Sequence, residues 1–369
     1  MTVQTKRTLQ VEKLARIYDD EIAPIWGTRF GKMLLRNLEL PERGQVLDIS
    51  CGTGYPTTEI LRRMHDGSRL IAIDASSAML DVARRKVADL GPLGKRGIFF
   101  RTESPVPKLS FADDVYDLVV CNLGLGEMPS LEVALRDFAR VCKTGGEVRC
   151  TLPLAGTYQE FHDLFREVLI KHDKHEALDR LDRLIARYPT VDHVERCMKT
   201  AQLAGGMEIE EFSLLFKSSR EFFFAPVIEY GPLADWKEIA GGGQEMQDVF
   251  WYIKEAIDAY FSNRPFQVTV KAGCLIGKKH EFRAVVAQHA PPMQMPQLDD
   301  DDGFDDIDTG LPLPPHKIAA GSVRVADPDD FEVEEIEDDG NFEIDVDVSA
   351  EHALDAFIEG KKRPTHLDD

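Results

Sequence analysis

Val46-Leu47-Asp48-Ile49-Ser50-Cys51-Gly52-Thr53-Gly54-Tyr55 is an apolar run that carries one carboxylate and passes directly into a two-glycine loop. The residues before Ser50 are mostly apolar and alternate poorly, the pattern of a strand covered on both faces in a parallel sheet. Gly52 and Gly54 let the backbone turn tightly and approach a ligand where a Cβ would obstruct it. Pro56 suits a first helical turn, and Ile60, Leu61 and Met64 give Thr57 to His65 a helical apolar face. Strand, glycine loop and helix in this order read as a nucleotide-cofactor site, although the spacing does not choose among cofactors. A dinucleotide fingerprint wants a third glycine where Thr57 stands. Asp48 is also awkward beside a pyrophosphate and suitable beside a cationic amino group.

Further segments follow in order. Arg69 to Asp74 is a second apolar strand ending in an acid, a position from which a carboxylate accepts two hydrogen bonds from a ribose diol. Ser76 or Ser77 caps a helix running to Asp89. A third strand, Ile98 to Arg101, leads to Glu103-Ser104, and Leu109-Ser110-Phe111 precedes a fourth, Asp117 to Leu123. Leu131, Ala134, Leu135, Phe138 and Val141 set a helix over Ser130 to Val141. Lys143-Thr144-Gly145-Gly146 ends it with a glycine suited to a helix terminus, before a fifth strand from Glu147 to Leu152.

Over about residues 45 to 152 these motifs resemble the class I S-adenosylmethionine-dependent methyltransferases of the small-molecule or carrier type, close to the type 11 group. The strand with Asp48 before G-x-G, the "D-x-S-x-x-M-L" run from Asp74, the "L-P-F"-like Leu109 to Phe111, the "F-D-x-V-x-x-N"-like run to Asn122 and the "K-P-G-G"-like Lys143 to Gly146 carry the likeness. The resemblance implies an α/β, Rossmann-like fold with a seven-stranded, mostly parallel sheet and S-adenosyl-L-methionine as cofactor. It implies cofactor contacts from Asp48, Ser50, Gly52 and Gly54, from Asp74, Ala75 and Met79, from Glu103 and Ser104 at the adenine, and from Asn122 and Leu123. Tyr18 resembles a residue that closes over the cofactor from an N-terminal helix. Leu125-Gly126-Glu127-Met128-Pro129 resembles an "L-x-H-x-x-D" segment, with Glu127 replacing the usual His as candidate base. His162 and Tyr158, just after strand five, are further catalytic candidates.

The rest of residues 1–285 extends the domain. Glu12 to Leu38 reads as helical, and β-type runs at Glu208 to Lys217 and Gln267 to Lys278 complete the sheet. An insertion over about 156–203, with a stripe of Tyr158, Phe161, Leu164, Phe165, Val168 and Leu169, reads as a wholly helical lid or substrate wall. Residues 221 to 262 add aromatic clusters, best explained as core. His172 and His175 sit among lysines without metal-ligand partners at zinc spacing, so no metal site is expected. Six cysteines without a C-x-x-C, no signal-like segment and no transmembrane stretch lead to the expectation of a cytoplasmic protein.

Charge divides the chain. Asp299 to Asp369 holds 24 acids and 5 bases, net −19 of the total −21, which leaves −2 for residues 1–298. Residues 286–369 therefore read as an acidic, disordered tail. Within 330–360, apolar residues alternating with acids and then Leu354, Phe357 and Ile358 form a candidate docking segment for a protein partner. So much negative charge, with no basic cluster and no Asn-Pro-Pro-aromatic motif after strand four, argues against a nucleic-acid substrate. The sequence thus points to methyl transfer onto a small-molecule or carrier-bound acceptor by in-line displacement, which can be driven mainly by positioning. Its rival is a binding or regulatory protein on the same fold acting through its tail; a dehydrogenase is disfavoured by Thr57 and Asp48.

Overall fold

The computed structural model describes residues 3–280 apart from Arg96 and Asn263; the tail over 286–369 and its segment 330–360 lie outside the described residues. Helices α1 (Val3–Ile17) and α2 (Gly27–Leu35) precede β1 (Gln45–Ile49), α3 (Thr57–Arg63), β2 (Arg69–Asp74), α4 (Ser77–Asp89) and β3 (Ile98–Thr102). Then come β4 (Tyr116–Asn122), α5 (Leu131–Val141) and β5 (Cys142–Pro153). Helices α6 (Gln159–Lys171), α7 (His175–Ile185) and α8 (Val191–Thr200) lead to β6 (Leu203–Phe216). Helices α9 (Ser219–Phe224), α10 (Pro226–Glu229), α11 (Leu233–Ala240) and α12 (Gly243–Tyr260) separate it from β7 (Phe266–Lys279).

Among the described residues these strands form one seven-stranded sheet in the order β3-β2-β1-β4-β5-β7-β6. β1 pairs in parallel with β2 and β4, while β7 runs antiparallel to both β5 and β6. The weak alternation of β1 is explained by its burial: Val46 joins one apolar core, and Leu47 and Ile49 join the core on the other face. The pairing of β4 with β5 jumps from Tyr116–Cys142 to Leu118–Glu147, with Gly145 at φ +80° in the skipped stretch. Regular pairing of strand five therefore starts at Glu147, where the sequence places it.

Two expectations need correction. The helix expected over Glu12 to Leu38 is broken: a π-helical turn at Tyr18–Ile22 follows α1, and α2 restarts at Gly27. Pro24 explains the break, since it has no N–H to donate and its ring clashes with the preceding turn. The C-terminus of α2 is held by Arg149 of β5, 5% exposed, which donates to the carbonyls of Leu34, Arg36 and Asn37 at 3.1, 2.7 and 3.2 Å. The insertion over 156–203, helical throughout apart from its turns, is not a single lid. Its last helix, α8, packs on α5 and β6 as part of the sheet's flanking layer, whereas α6 and α7 pack with α12 and α11. Those four helices make a cap whose centre is aromatic: Phe161 lies 4.0 Å from Trp236 between ring centroids, and Phe222, Phe223 and Phe250 are fully buried around them. The aromatic runs at 222–224 and 250 are thus core, apart from partly buried Phe224, Trp251 and Tyr252. His172, on the cap's outside, stacks on Tyr252 at 3.7 Å.

Candidate active site

The site begins where β1 ends. Ser50, Gly52 and Gly54 take φ values of +53°, +54° and +93°, so the chain leaves the sheet in a tight loop and enters α3 at once. At Gly54 both the backbone and the space demand glycine, because a Cβ would sit 3.0 Å from the Cβ of Ala83 on α4. Gly124, after β4, comes equally close: its Cβ would lie 2.5 Å from that of Ser50. The carboxyl ends of β1, β2 and β4 converge on this loop, the place where open α/β sheets bind ligands.

Two carboxylates frame it. Asp74, at the end of β2, accepts from the Gly52 N–H through Oδ2 and from the Ser76 N–H through Oδ1, both at 2.8 Å. Burial raises its pKa and those two N–H groups oppose the rise. Each of its oxygens keeps a second lone pair for a ligand. Asp48 is completely buried; its Oδ2 accepts from the Thr57 hydroxyl at 2.6 Å, and its Oδ1 has no hydrogen-bond partner among the described residues. Burial, and then the charge of Asp74, push its pKa up to about 7 against the opposing Thr57 hydrogen bond. In the sequence Thr57 stands only where a dinucleotide loop would have its third glycine; its role as the donor to Asp48 is visible once the loop closes over the strand.

Tyr18 leans over the loop from the π-helical turn, its ring the nearest group to the open side of Gly52. Burial, then the charges of Glu127, Asp74 and Asp19, push its pKa up to about 12. Glu127, in a short helical turn at Gly124–Glu127, keeps contact with solvent, yet partial burial and then Asp74 raise its pKa. Tyr18, Asp74 and Glu127 therefore share one electrostatic neighbourhood, and no basic side chain contributes to the balance at Asp48, Asp74 or Glu127.

The Asn122 amide is occupied in holding the entry of α2, donating to the Gly27 carbonyl at 3.1 Å and accepting from the Thr151 hydroxyl at 2.7 Å. Leu123 follows in the left-handed region at φ +70°. Glu103 is turned towards its own strand end: it accepts from the Ser110 N–H at 2.9 Å and lies 2.9 Å from the Arg101 guanidinium. The Ser104 hydroxyl accepts from the Val106 N–H. Ala75 is exposed, and Met79 packs towards Ala15 of α1. Tyr158 and His162 are both buried in the cap, where Tyr158 stacks on Trp26 and His162 has its pKa lowered to about 4 by burial. The structure therefore brings Tyr18, Asp48, Gly52, Asp74 and Glu127 together and sets Tyr158 and His162 apart from them in an aromatic layer.

A cavity of about 620 Å³ opens beside Glu127 at the carboxyl ends of β4 and β5, between Leu125, Leu131 and Leu152 on the sheet side and Leu184, Tyr188 and Asp235 on the cap side. No local pattern in the sequence marks it, because its walls come from four separate segments.

Residues 46–146 match a family model described as a methyltransferase domain. The ubiquinone/menaquinone biosynthesis C-methyltransferase UbiE of Idiomarina loihiensis is 31% identical over 124 residues, which are 33% of this chain and 48% of that protein. The enzyme of the same name from an Enterobacter species is 29% identical over 47% of this chain and 70% of its own length. The chain thus spans about half the length of the Idiomarina relative. Among solved structures, the YcgJ protein of Bacillus subtilis is 16% identical with a TM-score of 0.45, covering 69% of this chain and 99% of that one.

Proposed function

We infer that this chain, whose residues 46–146 belong to the class I S-adenosylmethionine-dependent methyltransferases, transfers a methyl group from that cofactor to a small-molecule acceptor. The observation that carries the reading is the carboxylate pair around the glycine loop. Asp48 Oδ1 is a buried, unpartnered carboxylate oxygen, an arrangement that is costly until a cation or donor reaches it. Asp74 is pinned by two backbone N–H groups with lone pairs to spare for a diol. A neighbourhood of carboxylates without a compensating base suits a positively charged cofactor and opposes a pyrophosphate.

When bound, the cofactor supplies an electrophilic methyl on a sulfonium, and its loss leaves a neutral thioether. The chain's part is to bind and orient. Asp74 would hold the ribose hydroxyls, Asp48 would face the cationic portion, and the Gly52–Gly54 backbone would allow close approach. Tyr18 over the loop and the helical cap would keep water from the reacting methyl. Glu127 is the residue available to remove a proton from an acceptor, its raised pKa making it a better base than an ordinary surface carboxylate. The similarity to ubiquinone/menaquinone biosynthesis C-methyltransferases favours a carbon of a quinone-type ring as acceptor.

Calorimetry on the full chain with S-adenosylmethionine, S-adenosylhomocysteine and NAD tests the reading. The first two are expected to bind and NAD is not. Asp74→Ala is expected to weaken binding by about 10- to 100-fold, the worth of one or two hydrogen bonds to a charged group. No binding of S-adenosylmethionine, or an Asp74→Ala chain that stays folded and binds as before, would overturn it. A labelled-methyl transfer assay against cell extract, with the product identified by mass, then finds the acceptor.

A further inference from the structure

We propose that the 620 Å³ cavity beside Glu127 is the acceptor site, and that it takes an uncharged, largely apolar molecule whose oxygen is held by the Tyr188 hydroxyl. The word acceptor rests on the methyl-transfer reading; the ligand class rests on the cavity itself. Its position is right for the first. Leu125 and Gly126 line the cavity while Glu127, in the same short turn, senses Asp74 on the cofactor side. One turn of backbone thus divides the two spaces, and the cavity lies over the carboxyl ends of β4 and β5.

The walls decide the ligand. Leucines from both sides, Met128, Pro129 and Pro153 make most of the lining apolar. The charged residues at the edge offset each other, Arg187 standing 3.6 Å from Asp235, and His193 lies against the Cys197 sulfur at 3.6 Å. No unopposed charge is left for an ionic ligand. The phenol of Tyr188 makes no hydrogen bond to the described residues, and burial, then Asp235, push its pKa up to about 12, so it stays a neutral donor. Behind it the His162 ring lies 6.3 Å away between centroids, and His162 Nε2 and Trp236 Nε1, both buried, have no hydrogen-bond partner. Of these groups only Tyr188 lines the cavity, and its hydroxyl is the donor that an oxygen on the ligand would meet. The volume falls in the range of sites for molecules of drug-like size.

The test uses 2-naphthol as probe, with naphthalene lacking the hydroxyl and 2-naphthoate carrying a charge, titrated into the full chain by calorimetry or ligand-observed NMR. The expected result is binding of naphthol about five- to tenfold tighter than naphthalene, as one neutral hydrogen bond provides, and weaker binding of the naphthoate. Tyr188→Phe should remove the preference for naphthol while naphthalene binds as before. Leu184→Trp from the cap side and Leu131→Trp from the sheet side should each fill the space and abolish binding of all three. An unchanged naphthol preference in Tyr188→Phe, or full probe binding in both tryptophan variants, would overturn the proposal. S-adenosylhomocysteine is titrated into each variant as well: retained binding shows a folded cofactor site, and its absence from the parent chain would strike the methyl-transfer reading while leaving the probe result to stand alone.

Discussion

Asp48 should make cofactor binding depend on pH in a way its neutral replacement does not. Its carboxyl is completely buried, bonded through one oxygen to Thr57 and bare at the other, with a pKa of about 7. If a cationic cofactor requires the ionised form, the apparent affinity is the intrinsic one multiplied by the ionised fraction. That fraction is about one in eleven at pH 6, one half at pH 7 and ten in eleven at pH 8. Affinity should therefore rise about tenfold from pH 6 to pH 8, with about half a proton released per cofactor bound at pH 7. Calorimetry in buffers of different ionisation enthalpy measures both. Asp48→Asn keeps the shape and an acceptor for Thr57; it should bind about 10- to 100-fold more weakly at pH 8 and with a much flatter profile. S-adenosylhomocysteine, which has the amino group but no sulfonium, locates the contact: an equal slope places the amino group at Asp48, a lost slope the sulfonium. Affinity constant within twofold over this range, without buffer-dependent heats, would refute the argument. So would a slope that persists in Asp48→Asn, which would pass the titration to Glu127 or Asp74, whose pKa values are also raised.

Without ligand, the raised pKa of Asp48 means that the folded chain binds its proton more tightly than the unfolded one. Its contribution is complete below about pH 4 and is lost as pH rises to about 7, by as much as about 4 kcal/mol; denaturant melts across that window should show a decline that Asp48→Asn lessens. Arg149→Ala should cost about 3–5 kcal/mol in the same melts, because three carbonyls at the end of α2 lose their donor and Glu147 loses its buried partner. Gly54→Val should be at least as harmful to cofactor binding as to stability, since the φ of +93° and the closeness of Ala83 force the loop to move; wild-type affinity in that variant would show the loop to be tolerant.

The parts of the fold visible in the sequence are those whose determinants are local. Five strands and the glycine loop between Gln45 and Pro153 follow from apolar runs, acids at strand ends and glycines at turns, and they lie close to where the sequence puts them, except that β5 begins at Cys142 and takes in the Lys143 to Gly146 stretch that reads as a helix end. Ser76 and Ser130 cap α4 and α5 through their hydroxyls, as short-range capping chemistry requires. What the sequence hid depends on partners far away along the chain. The break before α2 was readable from Pro24, but its fixing by Arg149 and Asn122 was not. The division of the 156–203 insertion between flank and cap depends on α11 and α12, which arrive only after β6. Glu103 shows the same limit from the other side: the resemblance of its segment implies a ligand contact, while Arg101 and Ser110, both nearby in sequence, engage its carboxylate in this structure.

The two halves of the site are built on different principles, and their chemistry follows from that. The proposed cofactor half comes from one stretch of chain, Asp48 to Asp74, with Tyr18 and Glu127 added, and it is negative without compensation. The neighbouring cavity is assembled from the ends of β4 and β5, the α7–α8 connection and α11, and its charges are paired. A positive charge is therefore favoured on one side of the Gly124–Glu127 turn and an uncharged molecule on the other. In the proposed reaction the cofactor would lose its sulfonium charge while the carboxylates remain, so the field that draws the reactant in would hold the product less firmly. Substitutions at Leu131, Leu184 or Tyr188 should then change which acceptor is used without moving cofactor affinity, because no ionisable group of the cofactor half contacts them through charge. A shift of S-adenosylhomocysteine affinity beyond about threefold in Tyr188→Phe would mean that the turn transmits strain between the halves, and the separation of roles would fail.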